Sequence, residues 1–348
     1  MLRFLPSVIL RDVVKKMDQF QKICDDLDLG KIVTEPVLCK SKTMHLNEVW
    51  QVKTNKGIYA IKQMRPNPIR TRQLYDIVEQ LTGELALIHP EVITAYKLPS
   101  TTNAVIELER RFFLAYPWVD GEFLDFSEVK SQHVSTIAKL LAGMHNYPFK
   151  LPASVDLCSN DLSIEPMRLN NLYKINDQLK WTDTFKKIYT ELLQASKKCN
   201  QFKLCSDSSK CVFTHTDITP VNVLWSKEGV PTILDWEWAC LVDPTVDCIH
   251  TALFWSGICN NKFDPSLFDA FISAYLKSGG VINQEKLTEA FYVSLGVWIH
   301  WAVFNMEESI QAVDQKKYAD EAEKTLGIIG RYLQEIPSWL SIIMKSFH

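Results

Sequence analysis

Apolar residues recur at helical spacing over Leu10–Asp28, where Val13, Val14, Met17, Phe20 and Ile23 share one broad stripe. The period then drops to two. Val33–Leu38, Glu48–Thr54 and Ile58–Met64 read as strands, with Asn55-Lys56-Gly57 turning the last two into a hairpin. A helix is predicted over Thr71–Leu81, ended by Gly83, followed by strands around Ala104–Leu108 and Arg111–Tyr116. Tyr116-Pro117-Trp118-Val119-Asp120-Gly121 interrupts the alternation, since Pro117 has no N–H and Gly121 frees the backbone. Beyond it the helical period returns. Helices are predicted over Val134–His145, Trp181–Lys198, Asp247–Trp255, Pro265–Lys277, Gln284–Ser309 and Lys317–Lys345, the last broken near Pro337. Pro148–Lys180 reads as irregular and polar.

One stretch inside the helical part is different. Cys211–Thr214 reads as a strand and Asp217–Asn222 as a loop. Val223–Trp225, a turn at Lys227-Glu228-Gly229, and Thr232–Leu234 then form a hairpin. This geometry gathers Asp217, Asn222 and Asp235 around one point. Two carboxylates and an amide are hard oxygen donors, suited to Mg²⁺ rather than zinc.

Composition narrows the field. The 348 residues are 47% hydrophobic and 23% charged, which suits a folded protein with room for two lobes. A net charge of −3 with no long basic run gives no support for nucleic-acid binding. Nine scattered cysteines without a Cys-x-x-Cys pair suggest reduced thiols and a cytoplasmic location. No window approaches 18 uncharged apolar residues, so no membrane span or membrane partner is expected. Nothing in the sequence bears on oligomeric state.

Charge is unevenly placed. Residues 1–115 carry 17 Lys and Arg against 13 Asp and Glu, a balance of +4, and the remainder carries 21 against 28, a balance of −7. On and just past the helix Gln284–Ser309, Leu295, Ile299, Ala302, Val303, Met306 and Ile310 share a burying face. Trp298, Trp301, Asn305 and Glu308 form a neighbouring face that could bind a cation, or could pack against another helix.

The order His215-x-Asp217-x-x-x-x-Asn222, a β-turn, then Asp235 at a strand end resembles the catalytic and metal loops of kinase-like phosphotransferases. The continuation Trp236-Glu237-Trp238-Ala239, then Asp243-Pro244-x-x-Asp247, is similar to the aminoglycoside phosphotransferase and choline kinase superfamily. That resemblance implies a two-lobed α+β protein-kinase-like fold. Its N-lobe would span 1–115, its linker 116–121 and its helical C-lobe 122–348. It makes Asp217 the catalytic base, and Asn222 and Asp235 the Mg²⁺ ligands. Lys62, in Tyr59-Ala60-Ile61-Lys62, matches the lysine that grips the α- and β-phosphates of ATP or GTP. Its carboxylate partner on the next helix would be Glu79, with Glu84 in reserve. Tyr116 and Trp118 fall in the segment that would meet the nucleotide base. The loop Cys39–Asn47, where a nucleotide-covering loop would sit, has no glycine. Asp235-Trp236-Glu237 and Trp298-x-x-Trp301 are similar to choline kinases, which puts Glu237 with the acceptor. The implied activity is phosphoryl transfer to a hydroxyl of a small, cationic molecule. A protein kinase and a catalytically silent nucleotide-binding pseudokinase are the alternatives.

Overall fold

Alternation in the first third of the chain becomes a five-stranded antiparallel sheet in the order β1-β2-β3-β5-β4, here in a computed structural model. The structure describes residues 7–39, 47–66, 70–149, 157, 164–175, 179–205, 209–260, 262–345 and 347. The strands are β1 (Val37–Leu38), β2 (Glu48–Lys53), β3 (Ile58–Gln63), β4 (Ile106–Leu108) and β5 (Arg111–Pro117). The first strand is shorter than its apolar pattern predicts. Pro36 cannot donate to a ladder, and before it the pairing is reduced to an isolated bridge, Ile32 to Thr54.

Period two assigns the faces of this sheet. Ile61, Phe113 and Ala115 pack on Phe20, Ile23 and Cys24 of helix α1 (Ser7–Asp26) and on Leu27 just past its end. Their neighbours Leu114 and Met64 turn the other way, onto Tyr75 of helix α2 (Arg72–Ala86). Lys62, paired in register with Leu114, lies on this second face. Thr71 caps α2, its hydroxyl accepting from Leu74 N–H at 3.2 Å. The helix does not stop at Gly83 as the sequence suggests. Leu81 and Leu85 are both buried, and packing outweighs the roughly 1 kcal/mol that a mid-helix glycine costs.

The chain divides into two compact units, 1–123 with Val221–Glu237, and Leu124–Pro220 with Trp238 onward. The second is mainly helical: α3 (Ser131–His145), α4 (Pro166–Tyr173), α5 (Thr182–Cys199), α6 (Pro244–Trp255), α7 (Pro265–Lys277), α8 (Leu287–Gln311) and α9 (Gln315–Lys345). Helix α4 falls in the stretch read as irregular. Pro166 starts it, and Leu169 and Leu172 bury its short apolar side. Helix α9 continues through Pro337. That residue sits on the exposed side, while Ile336, Trp339 and Ile343 hold the other side in the core. Residues 284–311 are long and apolar enough to cross a membrane by length and composition, contrary to expectation. Most of that apolar window is buried, and α8 packs on α5, α6 and α9 as a core helix.

A further correction concerns the cysteines. Cys205 and Cys211 are joined by a disulfide, whereas Cys24, Cys39, Cys199, Cys240, Cys248 and Cys259 are free. Asp243 and Asp247 of the quoted motif do structural work. Asp243 caps α6, accepting from Thr245 N–H at 2.9 Å, and takes a second bond from Lys286. Asp247 is buried and meets His145 Nε2 at 3.0 Å and the Thr214 hydroxyl at 2.8 Å. Burial opposes its charge, but these hydrogen bonds prevail and hold the carboxyl below its usual range.

His250, also buried, contacts Ser294 at 2.7 Å. Burial pushes its pKa down to about 4, against the pull of Asp247. The unfolded chain therefore binds the extra proton first as pH falls from 6.5 to about 4, and stability drops over that window. The loss expected is at most about 3 kcal/mol. Chemical denaturation at stepped pH should show this slope, and His250→Asn should flatten it. An unchanged slope in that variant would refute the assignment.

Candidate functional site

The predicted site residues divide between the two units. In the first, the hairpin of β8 (Val223–Trp225) and β9 (Pro231–Ile233) joins the two-residue strand β6 (Glu122–Phe123). Ile233 N–H donates to Glu91 O at 2.7 Å and stitches the hairpin to the segment that follows α2. Leu234 N–H donates to Asn222 O at 2.8 Å, which closes the hairpin with Asn222 beside the entry to Asp235. Asp235 has φ 66°, a left-handed conformation that costs a non-glycine residue about 1 kcal/mol or more. This turn redirects the chain into a 3-10 turn, Trp236–Trp238, that carries Glu237.

The result is a compact charged group on the α2 face of the sheet. Lys62 Nζ donates to Asp235 Oδ1 at 2.5 Å and to Glu237 Oε2 at 2.8 Å. Glu237 Oε2 also accepts from Asn47 Nδ2 at 2.5 Å. Burial disfavours the Lys62 charge, but the two carboxylates outweigh it and hold the ammonium above its ordinary range. Burial and the neighbouring Asp235 push the Glu237 carboxyl up, against the attraction of Lys62. Asn222 is also buried.

Two expectations change here. Lys62 does not pair with Glu79. Glu79 is buried too, but its carboxylate accepts from Ala95 N–H at 2.9 Å and Tyr116 OH at 2.7 Å. Burial raises its pKa despite those bonds. The physical reason is competition: Asp235 and Glu237 supply two closer oxygens, and Tyr116 claims Glu79. Glu84 lies one turn beyond, partly exposed. Glu237, expected beside an acceptor, belongs instead to the lysine group in the first unit.

Tyr116 is therefore committed to Glu79. Trp118 N–H donates to Ile58 O at 3.2 Å, and its indole N–H donates to Asp120 at 3.0 Å. The Trp118 backbone N–H thus carries the pairing of β5 with β3 one residue further. Of the loop Cys39–Asn47, residues 40–46 lie outside the described residues. Asn47 itself was missed from sequence. The hint was a polar residue closing a glycine-free loop just before β2.

In the second unit, Asp217 follows β7 (Val212–Thr214), which pairs with β10 (Cys240–Val242). Its loop is fixed from several sides. Asp217 N–H donates to His215 Nδ1 at 3.2 Å, the Thr216 hydroxyl donates to Trp238 O at 3.0 Å, and Trp255 Nε1 donates to Ile218 O at 2.7 Å. Thr216 has φ 65°, a second left-handed residue next to the carboxylate. His215 is buried.

The four aromatic and polar residues on α8 do not share one open face. Trp298 is 7% exposed, its indole donating to Tyr332 OH at 3.1 Å and its ring lying 5.1 Å from Phe254. Asn305, fully buried, donates to Trp301 O at 2.7 Å in its own helix. At 100° per residue Trp298 and Asn305 fall on one stripe, and Trp301 and Glu308 on another about 60° away. The boundary of the core runs between the stripes. Trp301 is half-buried, stacks on Phe304 at 5.4 Å and donates to Glu321 at 3.3 Å. Glu308 is also partly exposed. The cation-binding expectation thus loses Trp298 and Asn305 to packing and keeps Trp301 and Glu308.

Comparison with known proteins adds a second line. Spectinomycin phosphotransferase, solved with ADP and spectinomycin, is similar at TM-score 0.62 and 16% identity, over 94% of this chain and 98% of that one. Ethanolamine kinase from Plasmodium vivax follows at TM-score 0.59 and 15% identity, over 88% and 84%. Choline kinase LicA from Streptococcus pneumoniae gives TM-score 0.57 and 15% identity, over 92% and 99%. At such identities the likeness is one of fold, the kinase-like α+β class with a small antiparallel sheet and a helical remainder. No curated protein sequence matches. A model of the phosphotransferase enzyme family matches residues 45–287, a span that takes in Lys62, Asp217, Asn222, Asp235 and Glu237. With most of its length matched, the chain belongs to the phosphotransferase enzyme family.

Proposed function

We propose that this phosphotransferase moves the γ-phosphate of ATP or GTP to a hydroxyl of a small cationic molecule, aminoglycoside-like or choline-like, with Mg²⁺. The observation that carries the reading is the buried Lys62 ammonium held by Asp235 and Glu237. The donor set fits a hard divalent ion. Asp235, Glu237 and the Asn222 amide offer only oxygens as ligands, and two carboxylates share one ammonium, leaving negative charge in excess. Asp235 and Asn222 would hold the ion, which when bound neutralises charge between the β- and γ-phosphates. Lys62 grips phosphate, and Asp217 orients the acceptor hydroxyl and takes its proton. A protein-kinase reading is less well supported, because α6 starts at Pro244, nine residues after Asp235, and leaves little room for a peptide-docking segment. Free, mostly buried thiols among the described residues, apart from Cys205 and Cys211, support a cytoplasmic location.

A labelled phosphate-transfer assay over aminoglycosides, choline, ethanolamine, homoserine and neutral sugars tests the reading directly. The expected result is transfer to at least one amine-bearing alcohol. A neutral sugar phosphorylated as efficiently as any amine would sink the cationic acceptor. Trp301→Leu should then raise the acceptor's KM several-fold to about ten-fold with little change in nucleotide affinity. Trp298→Leu should instead lower thermal stability and spare the acceptor KM. The opposite pattern would move the acceptor from the Trp301 stripe to the Trp298 stripe.

A further inference from the structure

Asn47 stands at the junction of three parts of the first unit. Its Oδ1 accepts from Arg65 N–H at 2.7 Å, just past the end of β3. Its Nδ2 donates to Glu237 Oε2 at 2.5 Å. That same Glu237 oxygen accepts from Lys62 Nζ at 2.8 Å. One amide therefore uses both ends. It reads the backbone after β3 with its oxygen and fixes a carboxylate from the far hairpin with its nitrogen, 190 positions away in sequence. The Glu237 side chain is 12% exposed and that of Lys62 is 7% exposed, so the contact between them is shielded from competing water. Glu79, the helix carboxylate expected to orient Lys62, is occupied by Tyr116 and Ala95.

We propose that Asn47 is a positioning residue that clamps Glu237, and that the Glu237 carboxylate so held orients Lys62 for the nucleotide phosphates. In this chain the lysine is thereby set from the hairpin and the loop end rather than from α2. The inference rests on the assignment of Lys62 as the phosphate grip. An amide suits the clamp because it donates from its nitrogen and accepts at its oxygen. A carboxylate at the same position keeps the acceptor for Arg65 but places a like charge against Glu237. The isosteric Asn47→Asp change therefore separates the two halves of the contact, and Asn47→Ala removes both.

The test is ADP affinity by calorimetry on the full chain, measured in EDTA and again with Mg²⁺, alongside the steady-state nucleotide KM and kcat. Working in EDTA removes any role of Glu237 at the metal from the readout. Asn47→Asp and Asn47→Ala should each weaken ADP in EDTA by about 10-fold or more, a loss on the scale of a hydrogen bond to a charged group. Glu237→Gln should weaken it similarly, and Asn47→Ala combined with Glu237→Gln should add little to either single change. Glu79→Gln should alter ADP affinity by no more than about two-fold. Thermal midpoints measured in parallel identify any variant whose loss is one of folding. Wild-type ADP affinity in Asn47→Asp would overturn the clamp and leave Asn47 as a loop anchor to Arg65. Full additivity of the two changes would overturn it as well. If the unaltered protein binds no ADP, or Lys62→Ala binds it normally, the phosphate-grip assignment fails instead, and the two failures are thus told apart.

Discussion

Asp217→Asn is expected to lower turnover by about 10³-fold, within the range lost when a general base is removed, while leaving nucleotide affinity and thermal stability near those of the parent. The structure supports the second half of that expectation. The loop is held by backbone and neighbouring side chains: His215 takes the Asp217 N–H, Thr216 holds Trp238 O, and Trp255 holds Ile218 O. These contacts fix the loop, and asparagine has the size and shape of aspartate, so it can occupy the same place. What it cannot do is accept the acceptor's proton. Turnover with the true acceptor, nucleotide affinity and the thermal midpoint should be measured on one preparation. Turnover within a few-fold of the parent would remove Asp217 from the reaction. A large fall in the midpoint would mean that the variant reports on folding instead.

Lys62→Ala should be damaging in two ways. It removes the proposed phosphate grip, and it leaves Asp235 and Glu237 without the ammonium they share. Breaking a buried ion pair from one side costs about 3 kcal/mol or more, so the thermal midpoint should fall along with catalysis. Asp235→Asn keeps the shape and leaves Lys62 paired with Glu237. Its defect should therefore be catalytic rather than structural. Raising Mg²⁺ should recover part of the Asp235→Asn rate and little of the Lys62→Ala rate, because the first loss passes through the metal and the second does not. A Mg²⁺ titration that treats the two variants alike would undo this division of labour.

Much of the arrangement is readable in the chain because it rests on local rules. Period-two alternation through Ile58–Met64 and Arg111–Tyr116 marked two sheet strands, and β3 and β5 follow it closely. Pro265–Lys277 matches α7 end to end, since Asp264 caps it and the proline fits its first turn. The hairpin carrying Asn222 and Asp235 forms where its turn residues put it. Helix ends were less readable. Gly83 and Pro337 are breakers by local rule, yet α2 and α9 run through them because buried Leu85 and Trp339 are held by residues distant in sequence.

The sequence by itself therefore determined the chemical inventory and the elements: a lysine on a strand, an aspartate in a loop, an amide and a carboxylate on a hairpin. Its limits appear wherever partners lie far apart along the chain. Which carboxylate faces Lys62 is decided across 173 to 175 positions, and spacing on a helix pointed to Glu79 where the fold supplies Asp235 and Glu237. The clamp from Asn47 to Glu237 has no local signature at all. On α8 the period placed Trp298 and Trp301 on adjacent stripes, but only the packing of α6 and α9 decided which ring is buried. Local propensity and periodicity act over a few residues, whereas burial and charge pairing are settled by whatever the folded chain brings near.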